Sequence, residues 1–287
     1  MNITGTTKTL CLIGSPIHHS KSPEIHNAAS DILGLDYVYT AYDISKDNIK
    51  SAIYSLQLLG VRGCNVTMPG KTILADMADE LSDAARLSHS VNTVVFEDNL
   101  IKGYSTDGSG FMSSLKAEDI DIIGHQITLL GSGGAAHSII VQAALDGVNT
   151  INVFRRKSNP AWDEAVCFCN KIANATGCNI SVCDINDNTE LKKSISGSRL
   201  LVNATNAGMA PDTEACLIPN ESYLPDDLTV YDIIYNPMKT KLLKMAESKG
   251  LKAINGLPML LYQAADAYKI FTGYEMPVDE VKKRVKL

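Results

Sequence analysis

Short apolar runs alternate with segments whose apolar positions recur every three or four residues, from one end of the chain to the other. TLCLIGS (9–15) reads as a buried strand, residues 22–33 follow with helical spacing, and Gly34 stops them. YVYTAYDI (37–44) alternates like a strand, 46–59 is helical up to Gly60, and VRGCNVT (61–67) is the next strand. SVNTVVFEDNLIKGY (90–104) has the pattern of a hairpin turning at Asp98-Asn99. A second series opens at QITLLG (126–131), with a helix over 135–145 closed by Gly147. It continues with TINVF (150–154), a helix over 161–175, ISVCDI (180–185), a helix over 187–195 and RLLVNAT (199–205). LTVYDII (228–234), a helix over 239–248 and LKAI (251–254) complete it.

Strands alternating with helices of nine to fifteen residues predict α/β architecture with largely parallel sheets covered by helices. The seam between the two series lies near STDGSG (105–110), and the helices after Gly256 have either unit open to them. A length of 287 residues suits two domains.

Composition removes several function classes. The net charge of −6 is spread along the chain, without the basic stripe a nucleic-acid surface needs. No apolar run approaches the roughly 20 residues of a membrane span. The amino end has no signal-peptide pattern, so a cytoplasmic protein is expected. Seven cysteines, an odd number without framework spacing, suit free thiols in a reducing compartment. Cys167, Cys169, Cys178 and Cys183 lie close in sequence, but with no histidine among them they read as structural thiols. His18, His19, His26 and His89 lack ligand spacing, so no metal is expected.

LLGSGGAA (129–136) carries the first chemical motif. Gly131, Gly133 and Ala136 match G-x-G-x-x-[G/A] between a strand and a helix, the context that turns a weak pattern into a dinucleotide-binding turn. The following helix start supplies free N–H groups and a partial positive charge to phosphates. An NAD site carries an acid about 20 residues further on. Here the second strand ends in Arg155, Arg156 and Lys157, which suit the 2′-phosphate of NADP.

Polar residues cluster where the apolar strands of the first series end. Ser20 and Ser22 lie in HSKSP; Asn65, Thr67 and Lys71 in NVTMPGK; Asn92 in VNT; and Asp107 in STDG. In an open α/β sheet the carboxyl ends of the strands line the ligand crevice. Hydroxyls, amides, one lysine and one carboxylate suit a small anionic ligand rich in hydroxyls. Each residue alone has a plainer reading: Lys71 a solvated lysine, Asp107 a turn residue, Ser22 a helix cap. Their joint occurrence favours a site.

With SPIHHSKSPEIHN, NVTMPGK, VNT…STDGSG, GSGGAA, NAT, YDIIYNP and NGLPMLLYQAA in this order and spacing, the chain resembles the shikimate dehydrogenase family over essentially its whole length. The resemblance implies a substrate domain over 1–107 and 256–287, with a mixed, largely parallel sheet, and an NADP-binding Rossmann domain over 108–255. It implies reduction of 3-dehydroshikimate to shikimate with NADP(H), and Lys71 and Asp107 as the catalytic pair. Ser20 and Ser22 would take the substrate carboxylate, with Tyr235 nearby, and Asn65, Thr67, Asn92 and Gln263 the hydroxyls. Gly131, Ser132, Gly133, Gly134 and Ala135 would form the phosphate loop, and Thr205, Ile233 and Gly256 would border the nicotinamide. The expected partner is this small molecule alone, with no nucleic acid or membrane, and the expected assembly is a homodimer. FRR stands where the family carries Asn-Arg-Thr. That layout is closer to the quinate/shikimate branch, whose NAD-linked acid is replaced here by Lys157. His137 has no role on this reading.

Overall fold

The structure is a computed structural model and describes residues 3–286. Residues 1, 2 and 287, which the expected first domain includes, lie outside the described residues. The chain forms two compact units, Met1–Phe111 with Leu260–Leu287, and Met112–Met259.

The first unit contains β1 (Lys8–Gly14), α1 (Ser22–Leu33), β2 (Tyr37–Asp43), α2 (Ile49–Leu58), β3 (Gly63–Val66), α3 (Lys71–Met77), β4 (Glu80–Leu81), α4 (Asp83–Ser88), β5 (Thr93–Glu97) and β6 (Leu100–Tyr104). Its sheet has the order β2-β1-β3-β5-β6-β4. β1 runs parallel to β2 and β3, whereas β5 is antiparallel to both β3 and β6. The sheet is therefore mixed. Both faces of β1 are covered, which explains its uninterrupted apolar run. Leu10 and Leu12 pack with Tyr37, Tyr39, Val95 and Phe271, and Cys11 and Ile13 pack on the other face with Ile49, Ile53, Cys64 and Val66. At the hairpin, Asp98 and Asn99 have φ of 53° and 62°, the left-handed pair that a tight two-residue turn needs.

α5 (Thr106–Ala117) carries the chain from the first unit into the second. There, β7 (Gln126–Leu130), α6 (Gly134–Leu145), β8 (Thr150–Arg155), α7 (Trp162–Thr176), β9 (Asn179–Asp184), α8 (Asn188–Ser196), β10 (Leu200–Asn203), β11 (Thr229–Asp232), α9 (Lys241–Ser248) and β12 (Ala253–Ile254) follow. α10 (Leu257–Thr272) and α11 (Val278–Val285) end the chain. The second sheet is parallel throughout, in the order β12-β11-β10-β7-β8-β9. Read from β9, that is the doubly wound order of a Rossmann fold, with its switch point at β7.

Three helices escaped the periodicity. α3 and α4 are seven and six residues long, too short for a 3.6-residue pattern to register. α5 runs through STDGSG, which the glycines had marked as a seam. Ser22 is also not the cap expected of it. It is the first residue of α1, Lys21 is the N-cap without a side-chain bond, and the Ser20 hydroxyl accepts from the Ser22 N–H at 3.3 Å. The helix thus starts one residue earlier than a Ser22 cap would place it, and Pro23 stands in its first turn, where a missing N–H costs no helical bond. Among the described residues no helix is long and apolar enough to cross a membrane, and no three potential ligands gather as a metal site. Cys167 and Cys169 share α7, the first exposed and the second buried.

Candidate active site

Lys71 opens α3, a few residues beyond the end of β3, and Asp107 stands in the first turn of α5. Their side chains meet, with Lys71 Nζ donating to Asp107 Oδ2 at 2.5 Å. The lysine side chain is 27% exposed and the carboxylate 14%, so the pair is largely shielded but not sealed from solvent. The helix dipole favours a carboxylate in the first turn of α5. Asn92, at the residue before β5, donates from Nδ2 to the other carboxylate oxygen, Asp107 Oδ1, at 2.9 Å. Asp107 is thereby held from two directions.

Asn65 is the third residue of β3 and only 7% exposed. Its Oδ1 accepts from the Tyr39 hydroxyl at 2.7 Å, and its Nδ2 donates to Thr93 Oγ1 at 2.9 Å and to the Asn92 carbonyl at 3.1 Å. Burial pushes the Tyr39 phenol well above its ordinary value, so it stays an O–H donor. Thr67 is partly exposed directly after β3, and its N–H is bound to the Ile13 carbonyl at 2.9 Å. Gln263 lies on α10 and donates to the Leu260 carbonyl at 2.9 Å. It is reached from α5 only because residue 110 is glycine: a Cβ there would stand 2.4 Å from the Gln263 nitrogen. The first unit thus gathers Asn65, Asn92, Lys71 and Asp107 in one bonded network, with Ser20, Ser22, Thr67 and Gln263 on its adjoining segments.

In the second unit the glycine turn follows β7 at the switch point. Gly131 has φ of 105°, and a Cβ on it would lie 2.7 Å from the Thr205 methyl and 2.9 Å from the Ala204 carbonyl oxygen. Only glycine lets the two loops at the ends of β7 and β10 approach this closely. Beyond Gly133 and Gly134 the space is open, and Gly133 caps α6 without a side-chain bond. An uncapped helix start with open space before it fits a pyrophosphate. Ser132 lies in this turn, and Ala135 follows in the first turn of α6.

Asn203 and Asp232 organise the neighbouring loops. Asn203 Nδ2 donates to Asp232 Oδ1 at 3.0 Å, while its Oδ1 accepts from the Thr205 hydroxyl at 2.7 Å. The fully buried Asp232 also accepts from the Thr240 hydroxyl at 2.6 Å and the Ile234 N–H at 3.1 Å, and burial raises its pKa. Ile233 bonds the Asn203 carbonyl, and Gly256 bonds that of Ile234. Thr205, Ile233 and Gly256 are therefore braced around one buried carboxylate. Tyr235, in the loop after β11, is partly buried.

The three basic residues after β8 part company. Arg156 and Lys157 are exposed, whereas Arg155 is half-buried and donates from Nη1 to the Ala161 carbonyl at 2.7 Å. His137, on the first turns of α6, stacks on Phe168 with ring centroids 3.8 Å apart. Burial, with the Arg155 charge nearby, lowers its pKa to about 4.

A model of the shikimate dehydrogenase substrate binding domain matches residues 12–94, and one of the shikimate 5′-dehydrogenase C-terminal domain matches 256–286. The shikimate dehydrogenase (NADP(+)) of Listeria monocytogenes is 44% identical over 98% of this chain and 96% of its own. The chain belongs to the shikimate dehydrogenase family. Within this family, the crystal structure of the Listeria monocytogenes shikimate 5-dehydrogenase in complex with shikimate and NAD superposes with a TM-score of 0.96. That protein is 43% identical, over 99% of this chain and 98% of its own. The family member from Thermus thermophilus, solved with NADP(H) and shikimate, gives a TM-score of 0.83 at 29% identity, over 97% and 98% of the two chains.

Tyr39, Thr93, Thr106, Asn203 and Asp232 were missed as site residues by sequence reasoning. The available signal was a polar side chain at a buried position of an apolar strand or at its end, a place where bare solvation cannot be its purpose.

Proposed function

We propose that the protein catalyses the reversible reduction of 3-dehydroshikimate to shikimate with NADP(H), a step of chorismate and aromatic amino-acid biosynthesis. The observation that carries this reading is the Lys71–Asp107 ion pair, partly exposed within a network of hydroxyls and amides. The Listeria and Thermus family members were solved with shikimate, which supports the substrate class. On this reading residues 1–107 and 256–287 hold the substrate and 108–255 hold the cofactor, in a cytoplasmic homodimer.

Ser20 and Ser22 bind the substrate carboxylate with Tyr235 nearby, and Asn65, Thr67, Asn92 and Gln263 bind its hydroxyls. The residues from Gly131 to Ala135 hold the pyrophosphate, Arg155, Arg156 and Lys157 read the 2′-phosphate, and Thr205, Ile233 and Gly256 border the nicotinamide. Bound NADPH supplies the hydride that reduces the ketone carbon. Lys71 directs its ammonium at the ketone oxygen, stabilises the charge developing there and delivers the proton, and in reverse takes it back. Asp107 keeps that ammonium aimed, and Asn92 keeps Asp107 in place.

The test is a two-by-two panel of shikimate or quinate with NADP or NAD, following absorbance of the reduced nicotinamide. Shikimate with NADP should give the highest kcat/KM. Absence of turnover with shikimate and either cofactor would remove the proposal, and a higher kcat/KM with quinate would reassign the substrate.

A further inference from the structure

Thr93 is fully buried at the start of β5, out of reach of solvent, and its hydroxyl lies between the Asn65 and Asn92 amides. Thr93 Oγ1 is 2.9 Å from Asn65 Nδ2 and 3.1 Å from Asn92 Oδ1. Groups of fixed polarity settle the direction of each bond. The Thr106 N–H can only donate, and it lies 2.8 Å from the Asn92 amide, so that end is the oxygen. The Asp107 carboxylate accepts from the opposite end, which is the nitrogen. The Asn92 carbonyl can only accept, and it lies 3.1 Å from the Asn65 amide, so that end is Nδ2. Thr93 must therefore accept from Asn65 and donate to Asn92.

The bonds then form one ordered chain. The Tyr39 hydroxyl donates to Asn65, Asn65 to Thr93, Thr93 to Asn92, and Asn92 to Asp107, where Lys71 donates from the other side. Thr106 Oγ1 flanks the same junction, 3.0 Å from Asn92 Nδ2 and 3.4 Å from Thr93 Oγ1.

We propose that Thr93 is a positioning residue for the reaction, its one hydroxyl holding both Asn65 and Asn92 in the orientation the substrate meets. The proposal rests on the functional reading above. It fixes what Asn65 offers a ligand: both of its N–H groups are used inside the protein, so only a carbonyl lone pair remains, and a substrate hydroxyl placed there donates. Without the Thr93 oxygen, the two N–H groups of Asn65 keep a single internal acceptor, the Asn92 carbonyl, and the Asn92 oxygen loses one of its donors, so both amides are held less tightly.

The test compares Thr93→Val, which keeps shape and loses the hydroxyl, with Thr93→Ser, which keeps the hydroxyl. The valine variant should raise the KM for shikimate and lower kcat/KM by about ten- to a hundredfold, the scale of losing a buried bond on each side. Its NADP affinity, measured by binding, should not change, and the serine variant should stay close to wild type. Should Thr93→Val fail to bind NADP, the comparison passes to Thr93→Ser against Thr93→Ala, which differ only in the oxygen. Equal KM for shikimate in that pair, or a wild-type KM in Thr93→Val, would overturn the proposal. A purely structural threonine would lower thermal stability and leave the KM where it was. Wild-type enzyme assayed alongside separates the two claims: its failure to oxidise shikimate would count against the functional reading, not against Thr93.

Discussion

Lys71 and Asp107, 36 residues apart in sequence, meet at 2.5 Å across the starts of two helices. The carboxylate is held on its second oxygen by Asn92, so the lysine, with a flexible four-carbon stem, takes its aim from a fixed partner. Geometry of this kind separates the roles of the two residues in kinetics.

Lys71→Ala should cut kcat by about 10²–10⁴-fold, the usual worth of a positioned acid–base group, with a far smaller change in the KM for shikimate. Asp107→Ala should also be severe. The two losses should not multiply, since Asp107 acts through Lys71. Steady-state kinetics of both single variants and the double variant decide this, and fully multiplicative losses would mean independent action.

Removing the hydroxyl of Ser20 or Ser22 should weaken shikimate binding by about 10- to 150-fold, the range for a hydrogen bond to a charged group. NADP affinity should be untouched. Because Ser22 makes no side-chain cap to α1, thermal stability should change little. A fall in melting temperature with an unchanged KM would return both serines to a structural role.

Neutralising Arg155 and Arg156 together should raise the KM for NADP and leave that for NAD nearly unchanged. The larger share should fall on Arg156, which is exposed, because Arg155 already spends a donor on the Ala161 carbonyl. Single-variant kinetics with both cofactors test this. Equal losses with NADP and NAD would show that neither arginine reads the 2′-phosphate.

His26 is 1% exposed and stacked on Tyr39 at 4.3 Å, and burial lowers its pKa to about 3. The unfolded chain takes up this proton near the ordinary imidazole value of about 6.5, and the folded chain does not until about 3. The stability this confers is complete above pH 6.5 and is lost as pH falls toward 3. At pH 5 the loss from this one group is about 2 kcal/mol. His26→Phe, which keeps the stack, should remove most of that loss, measured as the difference in urea midpoint between pH 8 and pH 5. An unchanged difference would exonerate His26.

The amino-acid sequence by itself determined the α/β rhythm, the glycine turn between β7 and α6, the basic end of β8 and the hairpin at Asp98-Asn99. Each is written in a few neighbouring residues, because apolar period and φ preference are local properties. It also brought the candidate residues to the carboxyl ends of strands, since strand and loop boundaries are local too. Only the tertiary structure decided which of them bond. Tyr39 reaches Asn65 and Asn65 reaches Thr93 because β2, β1, β3 and β5 lie side by side in that order, which no single segment encodes. α5 carries Gly110 because α10 packs where a side chain would stand, and Arg155 donates to the carbonyl at the start of α7. A hydrogen bond is directional over about 3 Å, so its partner is set by how strands and helices are arranged around it.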